Sequence, residues 1–394
     1  MRYWKLIALP VIIILVTGGY YVQNAMAGND YPDFSFNKVD GAEEAVEDVT
    51  LLANYHEGRY GDAVKISGDG SVYYQDLSYI DRLAGNLHKD PAIASLQKEY
   101  RGFMRGKHAN ASYFSQYKDV LAFASVEESD SRYSVVVDTL HTESEESSSF
   151  RVNLPDSEEY RMMYTESVEL TDGVLTIFAR SFRAGNDELH YYRVDMDSGK
   201  LVGSGQLHDD TGSPGEGSWT ETRSLSQNRQ GIAAAEYSVF QVNEWEEVPG
   251  PDGNTQPQSA VSELVLFHHA TGDKEVFDVP EDLRGSLHTA VLDGSTLYLS
   301  RPSQAGTEIM AFELTDRNME KSKKVVQLPL ASADSGESVA DLAVNDGKMY
   351  IAGNGVSDPR LFIVELTSGE VLYEGVIDAG QHQGELMVHE LLIP

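Results

Sequence analysis

Asp346-Gly347-Lys348-Met349-Tyr350-Ile351, then Leu361-Phe362-Ile363-Val364, then Thr367-Ser368-Gly369-Glu370-Val371-Leu372 is the stretch that decides the fold. It is an Asp-Gly turn, a short apolar strand, a loop, a second apolar strand and a Ser/Thr-Gly turn. The phrase returns upstream. One copy runs from Asp293-Gly294 through Leu297-Tyr298-Leu299 and Met310-Ala311-Phe312 to Thr315-Asp316. Another runs from Asp172-Gly173 through Leu175-Thr176-Ile177-Phe178 and Tyr191-Tyr192-Arg193-Val194 to Asp197-Ser198-Gly199. Asp-Gly and Ser-Gly supply the positive φ values that tight hairpins need. A strand-turn unit repeated along a chain points to a radially repeated all-β architecture.

Spacing sets the number of units. Gly294 and Gly347 lie 53 residues apart, and Thr315 and Gly369 lie 54 apart, near the ~40–50 residues of a four-stranded propeller blade. A chain of 394 residues then predicts a closed β-propeller of six or seven four-stranded blades over residues 49–394. Glu385-Leu386-Met387-Val388 is available to pair with the N-terminal strands and remove the open edge. Val120-Leu121-Ala122-Phe123, Tyr133 to Val137 and Phe150 to Leu154 make one unit, with the acidic, serine-rich 142–149 segment as a hairpin tip. The unit between His208 and Val279 is the longest, because Pro249 to Asn254 inserts a loop. Val46, Val49 and Ala53 fit a helix, yet Val49 to Tyr55 also suits a strand.

The helix pattern is strongest from Pro91 to Gly106. Asp90 is a good N-cap, Pro91 suits the first helical position, and Ile93, Leu96, Tyr100, Phe103 and Met104 form an apolar stripe. This reads as an insertion near 90–107. Beside the apolar stripe Lys98, Arg101 and Arg105 recur at i, i+3 and i+7, a cationic face in a chain of 30 basic and 63 acidic residues. Such a face either docks on anionic lipid, polymer or an acidic partner, or neutralises the protein's own acidic surface.

The Asp-Gly-x-x-Tyr and Ser/Thr-Gly-Glu phrases, over about residues 117 to 380, resemble the bacterial extracytoplasmic β-propellers with quinoprotein-like or WD40-like blades. The tryptophan-docking signature of the first and the Trp-Asp ending of the second are missing. The resemblance therefore implies the fold and carries over no cofactor or partner.

The first residues carry Arg2 and Lys5, and Leu6 to Val22 holds no charge. Residues 1–27 read either as a membrane anchor or as a signal peptide cleaved after Ala25-Met26-Ala27. The aromatic pair Tyr20-Tyr21 fits a membrane interface. Residues 28–48 read as a tether. The expected placement is a cell membrane with an exported C-terminal domain, of Gram-positive type, or secretion after cleavage. The absence of cysteine excludes a disulfide framework and thiolate catalysis. A formal charge of −33 repels phosphate backbones and anionic lipid headgroups, so nucleic acid is not an expected partner.

No catalytic or metal motif emerges. There is no Gly-x-Ser-x-Gly elbow and no His-Glu-x-x-His. His268 and His269 fall on opposite faces of a strand, one packed and one solvated; His382 and His389 have no third ligand. Asp195 to Gly199 starts like a calcium loop, lacks the closing acid, and reads as a hairpin turn. The expectation is no cofactor, no metal and no assigned catalytic residue. Function is read first as a non-enzymatic, membrane-tethered binding or scaffold module for an envelope protein or polymer, with a propeller hydrolase or lyase and a sensory domain as alternatives.

Overall fold

In the computed structural model the repeated phrase forms the second, third and fourth strands of a blade, and the strand that precedes each Asp-Gly turn completes it. The structure describes residues 31–393 apart from short stretches, the longest being 209–217, 226–231, 250–254 and 331–337. The expected membrane segment, Leu6 to Val22, and the Ala25-Met26-Ala27 site lie outside the described residues. Among the described residues no helix is long and apolar enough to cross a membrane.

The strands, in chain order, are β1 (Ser35–Gly41) and six sets that form six antiparallel sheets. Blade 1 holds β2 (Thr50–Glu57), β3 (Tyr60–Ser67) and β4 (Gly70–Tyr73). Blade 2 is β5 (Phe114–Tyr117), β6 (Val120–Ser129), β7 (Arg132–His141) and β8 (Ser147–Asn153). Blade 3 is β9 (Met162–Thr171), β10 (Val174–Arg183), β11 (Asn186–Asp195) and β12 (Lys200–Gln206). Blade 4 is β13 (Ser218–Ser224), β14 (Tyr237–Pro249), β15 (Thr255–His268) and β16 (Lys274–Asp278). Blade 5 is β17 (Val291–Asp293), β18 (Thr296–Ser303), β19 (Gly306–Glu313) and β20 (Lys323–Leu328). Blade 6 is β21 (Ser338–Asn345), β22 (Lys348–Asn354), β23 (Arg360–Glu365) and β24 (Val371–Asp378).

Closure follows the expected route. β25 (Glu385–Leu392) pairs antiparallel with β2 and becomes the innermost strand of blade 1. Six blades rather than seven result because the blade 1–2 connection and the long hairpin of blade 4 absorb residues. The segment expected to be a tether, 28–48, departs from that reading. Within it β1 adds a fifth strand outside β24, and Glu43–Val46 is a single 3-10 turn rather than a helix leading into Ala53.

Apolar wedges between neighbouring blades make the core. Phe178 of blade 3 meets Phe240 and Phe267 of blade 4 at centroid distances of 4.8 and 5.1 Å, geometry that adds ~0.5–1.5 kcal/mol per ring pair beyond area burial. Blade 1 packs on blade 6 through Leu51, Tyr55 and Ile66 against Tyr350, Ile363 and Tyr373. The face of blade 2 turned away from blade 3 is covered instead by the helical insertion and Ile232.

That insertion departs from the expected single helix over Pro91–Gly106. After α1 (Tyr79–Leu83) come α2 (Pro91–Glu99) and α3 (Arg101–Met104), and Tyr100 between the last two sits at φ −114°, ψ 53°. Asp90 caps α2 as expected, its Oδ1 accepting from the Ala92 and Ile93 N–H groups at 2.7 and 3.3 Å. The break re-aims Met104, which is buried in the same cluster as Ile93 and Leu96, where a straight helix with Gly102 near its end has little propensity to hold it.

Turn chemistry follows the repeat. Asp172-Gly173 and Asp346-Gly347 have both φ values positive, at 48° and 78° and at 49° and 72°, which is the type I′ pattern. In blade 5 Asp293 pairs with Thr296, so the turn shifts by one to Gly294-Ser295. The closing turns of blades 3, 4 and 6 place Gly199, Gly272 and Gly369 at positive φ, each donating its N–H back four residues. Glu145 occupies that place in blade 2 at φ 55°, where glycine is the favoured residue.

Candidate functional site

The first strand of blade 3 ends at the Asp172-Gly173 turn, so Met162 to Glu166 lie toward the opposite end of the ring, where β9 pairs with the far end of β10. Opposite Phe178 and Ala179 the register of β9 slips: Phe178 pairs with Ser167 and Ala179 with Thr165. Glu166 is the extra residue. A bulge of this kind redirects a side chain, and here the Glu166 carboxylate meets Arg180 of β10.

Arg180 is 8% exposed. Its Nε and Nη2 donate to the two Glu166 oxygens at 3.1 Å each, Nη1 donates to Asp187 Oδ2 at 2.7 Å, and Nη2 also donates to the Thr222 carbonyl of blade 4 at 2.8 Å. Burial on its own would lower the guanidinium pKa; the hydrogen bonds and charges of Glu166 and Asp187 outweigh it and raise it. The Asp187 pKa is raised as well, though for a carboxyl this favours the neutral form. Burial raises its pKa above the ordinary aspartate value, Arg180 only partly opposing this, and Glu166 and Glu221 add to the rise. The two shifts are compatible because Glu166 takes the bidentate share of Arg180 and leaves Asp187 a single hydrogen bond. Asp187 Oδ1 is inaccessible to solvent and, among the described residues, accepts no hydrogen bond.

Aromatic rings surround these charges. Tyr164, 37% exposed, stacks on Phe182 at 6.2 Å, and burial raises its pKa while Arg180, Glu166, Asp187 and Tyr113 lie within electrostatic reach. On blade 4 Trp219, 40% exposed, stacks on its register partner Trp245 at 6.2 Å and 12°. Trp245 Nε1 donates to Glu221 at 3.0 Å. The joint between blades 3 and 4 thus presents ring faces beside carboxylates. Among the described residues, the Arg180 cation stands here against three acids, Glu166, Asp187 and Glu221.

A second charged group sits on the first strand of blade 6. Asp341 Oδ1 and Oδ2 accept from the Leu342 and Leu391 N–H groups at 2.9 and 2.8 Å, tying blade 6 to β25. Burial pushes its pKa up to about 7, against those two hydrogen bonds, with Glu390 raising and Arg223 lowering it further. A carboxyl that stays protonated in the fold to higher pH than in the open chain stabilises fully below about pH 4 and loses that contribution as pH rises through about 7. Part of Asp341 remains exposed, so about 2 kcal/mol is expected rather than the full value of the shift. Urea unfolding near pH 5 and near pH 8 should show this fall in the native chain and a flatter profile in Asp341→Asn.

Of the residues singled out from the sequence, Lys98 lies on α2, Arg101 on α3, and Arg105 follows α3 in extended conformation. All three are exposed, and none makes an ion pair among the described residues. The break at Tyr100 means that they do not form one helical stripe. His269 is fully buried with Nε2 at 3.0 Å from Ser238 Oγ, and both are closed to substrate. His268 is half-buried beside Glu236 at 3.5 Å, lining a cavity of about 330 Å³ between blades 4 and 5 with Asp273 and Glu275. Asp195 turns back on Ser198, as a hairpin does. His389 is exposed on β25, while His382 lies outside the described residues. Among the described residues no three metal-ligating side chains converge.

Neither a family model nor a curated protein matches the sequence. Solved structures similar to the chain include the polysaccharide lyase Uly1, at 12% identity and a TM-score of 0.37 over 68% of this chain and 57% of that one. The β-propeller domain of the Trilobed protease from Pyrococcus furiosus has 9% identity and a TM-score of 0.25 over 66% and 80%. Cobalt-substituted apocarotenoid oxygenase from Synechocystis has 8% identity and a TM-score of 0.44 over 91% and 97%. The chain spans just over half the length of the lyase. The six sheets themselves, rather than these likenesses, establish the propeller.

Proposed function

We propose that this chain is a binding propeller held at the outer face of a cell membrane, and that its ligand is an uncharged glycan gripped at the mouth between blades 3 and 4. The observation that carries the ligand class is the exposed Trp219 ring, stacked on Trp245, beside the exposed Glu221 carboxylate to which Trp245 donates. Indole faces stack on the C–H faces of sugar rings, and carboxylates accept from paired hydroxyls. The local excess of acids and the net charge of −33 disfavour polyanions. The membrane placement rests on the charge-free stretch from Leu6 to Val22 behind Arg2 and Lys5.

An enzymatic reading has one observation in its favour. Asp187, with its raised pKa, could hold a proton next to a bound glycosidic oxygen. Isothermal titration of the detergent-solubilised full chain with soluble neutral glucans and N-acetylated chitooligosaccharides tests both. Binding lost in Trp219→Ala and weakened in Glu221→Gln, with no change in the glycan recovered, is expected. Absence of heat with every neutral glycan would overturn the proposal, and shortened glycan in the recovered sample would move it to the enzymatic reading.

A further inference from the structure

The exposed apolar side chains of this acidic molecule are not scattered evenly. Five of them, Val72, Tyr74, Tyr79, Ile80 and Leu83, fall within twelve residues at the edge of blade 1, and Tyr79, Ile80 and Leu83 are 67–69% exposed. In α1, Tyr79 and Leu83 are i and i+4 and Ile80 and Leu83 are i and i+3, so the three share one face. Ser78 caps the turn through Asp81, and Arg82 lies over the Tyr74 ring at 6.0 Å. A clustered apolar surface of this kind marks an interaction site rather than ordinary surface.

The chain enters the fold beside it. Tyr31 stacks on Tyr73 at 4.7 Å, the Tyr73 hydroxyl donates to the Pro32 carbonyl at 2.7 Å, and the Asp33 carboxylate accepts from the Ser71 N–H and hydroxyl. Residues 31–34 are therefore riveted along β4, next to Tyr74. Eight residues separate Val22, the end of the apolar segment, from Tyr31, a reach of about 30 Å at most. The same blade 1–2 connection carries Lys98, Arg101 and Arg105, exposed and without ion pairs among the described residues. In a chain with 63 acids, three cations left unneutralised complement an anionic partner.

We infer that this connection is the face of the ring that rests on the bilayer: Tyr79, Ile80 and Leu83 enter the headgroup boundary, and Lys98, Arg101 and Arg105 meet anionic lipid headgroups. The inference rests on the membrane placement proposed above. It fixes the ring edge-down at blade 1 and leaves the blade 3–4 mouth clear of the lipid.

The chain has no cysteine, so single labels are unambiguous. Full-length Ile80→Cys and Val276→Cys, the latter 56% exposed on β16 of blade 4, carry the same fluorophore. Each is reconstituted into phosphatidylcholine vesicles with and without phosphatidylglycerol, doped with nitroxide-bearing lipid, and floated. Several-fold greater quenching at Ile80 than at Val276, strongest with phosphatidylglycerol, is expected. Lys98→Glu with Arg101→Glu and Arg105→Glu should bring the Ile80 signal toward that of Val276 while flotation and melting temperature hold. Equal quenching at the two sites in floated protein, or quenching at Ile80 indifferent to the charge reversal, overturns the bilayer contact alone. A chain that does not float overturns the anchor and this inference together.

Discussion

Ending the chain at Gly384 should abolish cooperative folding. The lost segment supplies β25, whose residues pair with β2 from Thr50 to His56, and buries Leu386, Val388, Leu391, Leu392 and Ile393. At about 1.5–3 kcal/mol for each large aliphatic side chain, the apolar loss is on the order of 10 kcal/mol, comparable to the whole stability of a domain. Two polar latches go with it. Asn354 donates to the Val388 carbonyl and accepts the Val388 N–H, both at 2.9 Å, and Asp341 accepts the Leu391 N–H. The truncated ring also exposes the inner edge of β2, a template for aggregation. Thermal unfolding followed by circular dichroism should show no sigmoidal transition. A melting curve close to that of the full chain would mean that the ring does not depend on its closing strand.

Arg180→Ala should cost about 3–5 kcal/mol, the penalty for leaving a buried ion-pair partner uncompensated. Glu166 and Asp187 would then face each other across the joint without the guanidinium that now donates to both. Their protonation in the variant relieves the repulsion, so the loss should shrink as pH falls through the raised carboxylate range. Combining Arg180→Met with Glu166→Gln and Asp187→Asn should recover most of the stability, because no unpaired charge remains. Urea unfolding of the three chains gives the comparison. An Arg180→Ala loss within 1 kcal/mol of zero, roughly the range of an exposed pair, would show that water reaches the cluster freely.

The propeller was legible because its turns are local. Asp346-Gly347 and Asp172-Gly173 announce hairpins by composition alone, and the closing role of Glu385 to Val388 follows from the need to remove an edge. The break at Tyr100 was not legible: the apolar spacing from Ile93 to Met104 fits one helix, and only packing against Phe114 and Phe123 selects two short ones. The strand Ser35–Gly41 was hidden by its polar residues, which suit an outermost strand. The candidate site was the least visible part. Glu166, Arg180, Asp187 and Trp219 come from four strands of two blades, and the bulge that turns Glu166 toward Arg180 exists only once β9 pairs with β10. Among 63 acids, no spacing rule could have selected these. The adjacent tryptophan rings were the one available signal, since Trp219 and Trp245 stand apart in a tyrosine-rich chain.

The chain holds three tryptophans, and two of them, Trp219 and Trp245, stack at the proposed mouth. Intrinsic tryptophan fluorescence of the full chain therefore reports directly on that joint. Titration with a neutral oligosaccharide should shift and saturate the emission in the native chain and in Lys98→Glu with Arg101→Glu and Arg105→Glu, and leave Trp219→Ala unchanged. Emission that does not respond to any neutral glycan, or a response that persists in Trp219→Ala, would contradict a ligand mouth between blades 3 and 4.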